Sequence, residues 1–543
     1  MNILWRIAAT AAVLGLAPPA LAADGPRVVA PAGPMRGTER DGIRIFKGLP
    51  YALPPIGAGR WKPPAPMPAW TGEREATRFG PACIQPPSRP GSIYSEPPAA
   101  MSEDCLSLNV WTPKDADKLP VFVWIHGGSL TTGAGSQPMY DGTRLAKRGL
   151  VVVTINYRLG VLGYLAHPAL SAESPERTSG NYGLLDQIAA LHWVKRNIAA
   201  FGGDPANVTV AGESAGALSV MYLLASPPAD GLFARAIAQS AYMISMPSLR
   251  AQRFGMEPAE ATGVRIAAAA GASDLAALRA MAPAALTAAA AKAGYFPLGT
   301  VDGRVLPRQL PETFDRGEQA PVPLLAGYNS GEIRSLRFLL PPAVDADAYA
   351  AAIRKGYGEL AAPFLTHYPP SNVAESMLAT TRDAMYGWTA QRLAASQAAA
   401  GVPSYLYVFD HGYPASDDNG LHAFHAAEIP FVFGTMSRTP ALWPKADGSA
   451  SLAMTEAVMD YWSSFARSGK PVADGQPEWP AFASGEAFML FADRPRSAAS
   501  PMGGAFALHE RVVCRRRAAG DTPWNWNVGI AAPPMAPPAA ECR

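Results

Sequence analysis

The chain has 543 residues, 49% of them hydrophobic, and a formal net charge of +2. That is material for a large core, and so near-neutral a balance leaves no footprint for nucleic acid or an anionic membrane surface. No repeat period and no long linker divides the sequence, which reads as one large unit.

Taken in chain order, residues 1–22 read as a signal peptide. Arg6 supplies positive charge, Ile7 to Leu16 is an apolar run too short to cross a bilayer, and Ala20-Leu21-Ala22 offers a small-residue cleavage site after Ala22. The product is expected to be secreted or periplasmic, without stable membrane insertion. Four cysteines follow: Cys83, Cys105, Cys514 and Cys542. In an oxidising compartment an even count suggests two disulfides, and proximity favours Cys83–Cys105 and Cys514–Cys542. The first would close a Pro/Ser-rich loop, Gln85 to Asp104, and contribute about 3 kcal/mol through the entropy of the unfolded chain.

Val121 to Ile125 and Val151 to Ile155 are short, unbroken and rich in β-branched residues, as in strands buried on both faces. A helix is expected over Leu184 to Ala199, a strand over Val208 to Ala211, a small-residue helix after Ser214, and a weak strand at Ala236 to Ala238. This alternation implies an α/β fold with a mostly parallel sheet covered by helices on both faces. Alanine-rich helical texture then marks two insertions, about 250–320 and 335–400. Leu324 to Ala326 and Tyr405 to Phe409 read as further strands, and Met454 to Arg467 as an amphipathic helix. A single domain is expected over 23–513. The Pro/Ala-rich tail, 514–543, is assigned no regular structure.

The chemistry starts at Gly212-Glu213-Ser214-Ala215-Gly216, set between an apolar strand and a helix. Such a turn lifts a serine hydroxyl above the sheet edge and aims the next amide, on Ala215, at developing negative charge. Ser214 therefore reads as a nucleophile. A serine nucleophile needs a histidine base, an acid to orient it, and oxyanion donors. Of the eight histidines, His126, His167 and His192 precede Ser214, His367 sits in a Pro-rich turn and His509 near the tail, which leaves His411, His422 and His425, in one loop after a late strand. The residues alone do not choose among them. Trp124-Ile125-His126-Gly127-Gly128-Ser129-Leu130 is the candidate oxyanion turn, its glycines letting backbone N–H groups approach a substrate oxygen, with His126 structural.

The sequence resembles the type-B carboxylesterases, the cholinesterase-like branch of the α/β-hydrolases, from about Val28 to Phe482. The matching stretches include Phe46-Lys47-Gly48-Leu49-Pro50-Tyr51-Ala52, Glu103-Asp104-Cys105-Leu106-Ser107-Leu108-Asn109-Val110, Asn156-Tyr157-Arg158-Leu159-Gly160 and Phe201-Gly202-Gly203-Asp204-Pro205. The resemblance implies that Glu332, in Gly327-Tyr328-Asn329-Ser330-Gly331-Glu332-Ile333, is the acid. It implies that His425, opening His425-Ala426-Ala427-Glu428, is the base, and that Gly128 and Ser129 join Ala215 in the oxyanion hole. It also supports the Cys83–Cys105 pairing. Ser129, Gly331, Ile333 and Ala426 depart from the family pattern, which has Gly, Asp, Gly and Gly there.

The expected activity is hydrolysis of a small-molecule carboxylic ester through an acyl-enzyme, with no metal or organic cofactor. The rate should rise as the histidine loses its proton, near its ordinary pKa of about 6.5. A catalytically silent binding protein, or a preference for amide, carbamate, aryl or polyester substrates, is the alternative. Tyr94, Tyr242, Tyr295 and Phe296 fall in or beside the loops that set pocket size, as candidates for an apolar pocket or for ordinary core. Oligomeric state is left open.

Overall fold

The computed structural model describes residues 25–446, 448–482 and 486–542. The signal-peptide reading lies outside the described residues. One eleven-stranded sheet organises the chain. Its strands are β1 (Thr38–Arg40), β2 (Ile43–Pro50), β3 (Ser107–Pro113), β4 (Leu119–Ile125), β5 (Val151–Ile155), β6 (Gly203–Glu213), β7 (Arg235–Gln239), β8 (Leu324–Asn329), β9 (Ser404–Phe409), β10 (Ala487–Phe491) and β11 (Pro495–Ala499). They lie in the order β11-β10-β9-β8-β7-β6-β4-β5-β3-β2-β1. The run from β5 to β10 is parallel. Antiparallel strands close both ends.

Strand β4 shows how the sequence builds this sheet. All of Val121 to Ile125 is inaccessible. Successive side chains of a strand alternate between faces. Val121, Val123 and Ile125 therefore join one core, with helices α1 (Tyr182–Asn197) and α2 (Ala215–Leu224). Phe122 and Trp124 join the other, against Phe433 and the helix over Ser449–Ser468. Truncating Phe122 to alanine would cost about 3–5 kcal/mol, transfer and cavity together.

The expected parallel strands lie where the apolar runs placed them, β6 reaching back to Gly203. Helices occupy Ala259–Ala269, Pro283–Lys292, Ala346–Tyr357 and Trp388–Ala399. The antiparallel edge strands were not anticipated, because mixed stretches such as Ser107–Pro113 carry no clean period. The tail corrects the sequence reading. The helix over Ala505–Ala519 runs through Cys514, and 3₁₀ turns follow at Gly529–Ala531 and Ala540–Cys542. Arginines masked that helix in sequence. Leu508, Val512 and Val513 nevertheless face the core, and Trp524 is fully buried beside Trp388. Cys83 is bonded to Cys105 and Cys514 to Cys542. Among the described residues no helix is long and apolar enough to cross a membrane.

Candidate active site

Strand β6 ends at Glu213, and Ser214 turns the chain with φ 57° and ψ −121° before α2 begins. That left-handed backbone is unusual for a non-glycine residue and stores strain at the turn. It is held by a bond from the Ser214 amide to the Gln239 carbonyl, 2.9 Å. The flanking glycines permit the packing. A Cβ on Gly216 would stand 2.0 Å from the Ile125 carbonyl oxygen. Ala215 is the first residue of α2, so its N–H has no acceptor within the helix.

The loop after β4 lies against this turn. A Cβ on Gly127 would come within 3.2 Å of the Ser214 Cβ. Gly128, Ser129 and Leu130 all have positive φ (103°, 56° and 55°). The Gly128 carbonyl accepts from the Thr131 and Thr132 amides, which fixes the turn. The amides of Gly128 and Ser129 donate to no described residue. The Ser129 side chain is exposed. His126 is buried, stacked on Tyr157 at 4.5 Å, and burial lowers its pKa to about 4. It stays neutral as a structural residue.

The three candidate histidines separate clearly. His411 bonds the Ala492 carbonyl through Nδ1, 2.8 Å. His422 is half exposed and gripped by Asp417 (2.7 Å) and Asp410 (3.0 Å). His425 is buried and hydrogen-bonds Oε2 of Glu332 through Nδ1. The two loops are laced together by the Gly331 amide on the Ala423 carbonyl, 2.9 Å. A Cβ on Gly331 would stand 2.8 Å from the carbonyl oxygens of both Leu421 and Ala423, so the departure from the family's aspartate suits this close approach. Ala426 takes φ 68°, a conformation that glycine adopts more readily.

The sequence reading gives Gln239, Asn329 and Glu428 no role, and Tyr94 only that of a pocket candidate. Glu428 accepts from Gln239 Nε2 (2.9 Å) and Asn329 Nδ2 (2.6 Å), while the Asn329 amide donates to Oε1 of Glu332 (2.9 Å). A buried polar chain thus runs from Gln239, which also holds the Ser214 amide, to Glu332. Tyr94, inside the Cys83–Cys105 loop, hydrogen-bonds Ser335 Oγ (2.7 Å) and the His425 carbonyl (2.9 Å). Tyr295 and Phe296 instead line a hollow of about 210 Å³ with Tyr164, Pro247 and Arg265, away from these residues.

Glu213 is the unexpected neighbour. Its Oε1 lies 3.1 Å from His425 Nε2, yet that oxygen is buried without an aligned hydrogen bond. Burial pushes the Glu213 carboxyl well above the usual range, with Glu428 and Glu332 adding to the effect. Burial alone would lower the pKa of His425. Glu213 and Glu332 outweigh it and carry the imidazole up to about 9. The cluster therefore titrates as a unit. Glu213 immediately precedes Ser214 in sequence, but nothing in that adjacency told that it would face His425. Among the described residues no group of three or more His, Cys, Asp or Glu is arranged to hold a metal ion.

Comparison with known proteins shows the family to which the chain belongs. The sequence profile described as "Carboxylesterase family" matches residues 24–503. The chain is 38% identical over 495 residues to the fumonisin B1 esterase of Sphingopyxis macrogoltabida, covering 87% of this chain and 88% of that protein. It is 36% identical over 461 residues to the para-nitrobenzyl esterase of Bacillus subtilis (strain 168), with 83% and 91% covered. Among solved structures, a PNB esterase gives a TM-score of 0.77 at 34% identity, covering 88% of this chain and 97% of that one. A carboxylesterase of Geobacillus stearothermophilus gives 0.70 at 35% identity, covering 91% and 99%.

Proposed function

Because the chain belongs to the carboxylesterase family, with the α/β-hydrolase fold and carboxylic-ester hydrolysis as its activity, we propose that it works through a Ser214–His425–Glu332 triad and an acyl-enzyme. The observation that carries this reading is the buried His425, held on Glu332 through Nδ1 beside the Ser214 turn. Glu332 accepts the Nδ1–H and so leaves Nε2 free to act as base. His425 takes the Ser214 proton as Oγ attacks the ester carbonyl. The N–H groups of Gly128, Ser129 and Ala215 receive the oxyanion. His425 returns the proton to the leaving alcohol. Water then adds to the acyl-enzyme by the same route, releasing the acid and restoring Ser214.

The substrate is a small-molecule ester, and no step calls on a cofactor. Export from the cytoplasm belongs to the same proposal, supported by two disulfides that suit an oxidising compartment. The test is hydrolysis of p-nitrophenyl butyrate by the purified protein beside Ser214→Ala and His425→Ala. Each substitution should lower kcat by about 10⁴ or more. Full activity in His425→Ala, or none in the parent while folded, would overturn the triad reading.

A further inference from the structure

Two tyrosines that the proposed steps leave unused stand next to the base. Tyr386 lies in a single π-helical segment, Asp383–Gly387, and its ring centroid is 5.4 Å from that of His425. One-turn π segments recur at functional sites because the extra residue re-aims a side chain. Tyr242 follows β7, and its ring meets that of Tyr386 at 6.2 Å, nearly edge-on at 78°. They are 6% and 2% exposed, respectively.

Neither hydroxyl makes a hydrogen bond to a described residue. Buried phenols elsewhere in the chain do: Tyr51 donates to the Asn156 carbonyl and Tyr157 to that of His126. Tyr164 and Tyr407 also lack partners, but their hydroxyls are sealed from solvent, whereas those of Tyr242 and Tyr386 are not. A phenol whose ring is buried but whose hydroxyl opens to solvent with no protein partner, next to His425, is free to donate to an acceptor on a bound molecule.

The two segments are also held together. Asn525 Nδ2, from the C-terminal tail, donates to the carbonyls of Met243 and Ala384, each at 2.9 Å. The Met243 amide donates to Thr389 Oγ1, and the Trp524 amide to Ser245 Oγ, again at 2.9 Å. The tyrosines therefore stand on a pinned frame, as a selective site requires. Burial, with Glu213 among the nearby charges, holds both phenols above their usual pKa, so they are neutral donors at working pH.

We propose that Tyr242 and Tyr386 form a donor wall that selects neutral esters carrying a second acceptor oxygen (ether, hydroxyl or carbonyl) within a few bonds of the scissile ester. This rests on the triad reading, since it places the wall against the substrate at His425. A site built to hydrogen-bond a substrate group disfavours the analogue lacking that group.

The test compares two near-isosteric pairs: p-nitrophenyl methoxyacetate against butyrate, and p-nitrophenyl 4-oxopentanoate against pentanoate. The readout is the ratio of kcat/KM within each pair, for the parent, Tyr242→Phe, Tyr386→Phe and the double variant. Taking the ratio cancels intrinsic reactivity. In at least one pair the ratio should fall about three- to tenfold per hydroxyl removed, the worth of one neutral hydrogen bond. Because neither hydroxyl has a partner in the free protein, both single variants should fold with an unchanged or raised Tm. A ratio that is unchanged or higher in all three variants, for both pairs, overturns the donor wall. Loss of the triad reading is a separate result: the parent would then fail to hydrolyse any of the four esters, or Ser214→Ala would match it.

Discussion

Oε1 of Glu213 and Nε2 of His425, both on buried side chains, stand 3.1 Å apart. Glu213 is thus a charge partner of His425, on the ring edge opposite Glu332. The neutral base gains population as pH rises through about 9, where these neighbours hold the imidazole. The acid limb of kcat/KM should therefore lie well above the ordinary histidine value of about 6.5 that the sequence suggested. Glu213→Gln removes the foremost of the upward influences and should move the limb to lower pH. Full pH–rate profiles of parent and variant decide this, and a shared limb near 6.5 would refute it.

His422 offers the contrast. Its ring is raised to about 9, first by its hydrogen bond to Asp410, with Asp417 adding to it. A histidine raised on folding contributes stability that is complete below its unfolded pKa, about 6.5, and is lost as pH climbs through 9. The Tm deficit of His422→Ala should therefore be larger at pH 6 than at pH 9.5, with hydrolysis retained at both. A deficit that grows toward pH 9.5 would contradict this sign.

His126 and His509 run the other way. Burial lowers both to about 4. The unfolded chain then binds more protons than the folded one between about 6.5 and 4. Each histidine should remove about 3 kcal/mol of stability across that interval on acidification. Denaturant titrations at pH 7 and pH 4.5 would register the loss, and His509→Gln should flatten it.

Gly331 permits two loops to touch. Gly331→Asp restores the residue usual in the family, but its Cβ would press on the Leu421 and Ala423 carbonyl oxygens. Displacing Glu332 from His425 by about 1 Å should lower kcat up to about 10²-fold. Steady-state kinetics with KM measured separately test this. An undiminished kcat would mean that the loops yield without disturbing the pair.

Asn525 ties the tail to the loop carrying Tyr242 and to the π segment carrying Tyr386. Asn525→Leu leaves two buried carbonyls without that donor and should destabilise by about 2–6 kcal/mol, counting about 1–3 for each. Thermal melts measure it. A Tm within a degree of the parent would show that those carbonyls find other donors.

What the sequence determined by itself was whatever consecutive residues encode. The unbroken apolar runs specified the central strands, because a strand buried on both faces needs no polar side chain. The turn from Gly212 to Gly216 singled out Ser214 as the candidate nucleophile, because so sharp a strand-to-helix turn needs glycines two residues to either side. Helical stretches such as Ala346–Tyr357 were legible as alanine-rich texture. Glu332 and His425, 93 residues apart, came from family resemblance, since the residues alone left His411, His422 and His425 open. Tertiary structure decided which ring reaches a buried carboxylate and which is spent on surface aspartates. It also set Glu213 and Glu428 around the base, paired the irregular edge strands, and folded an arginine-masked tail against Trp388. These outcomes depend on sheet order and on which distant loops share a buried volume, and desolvation there makes each charge felt by its neighbours. No local spacing carries that information.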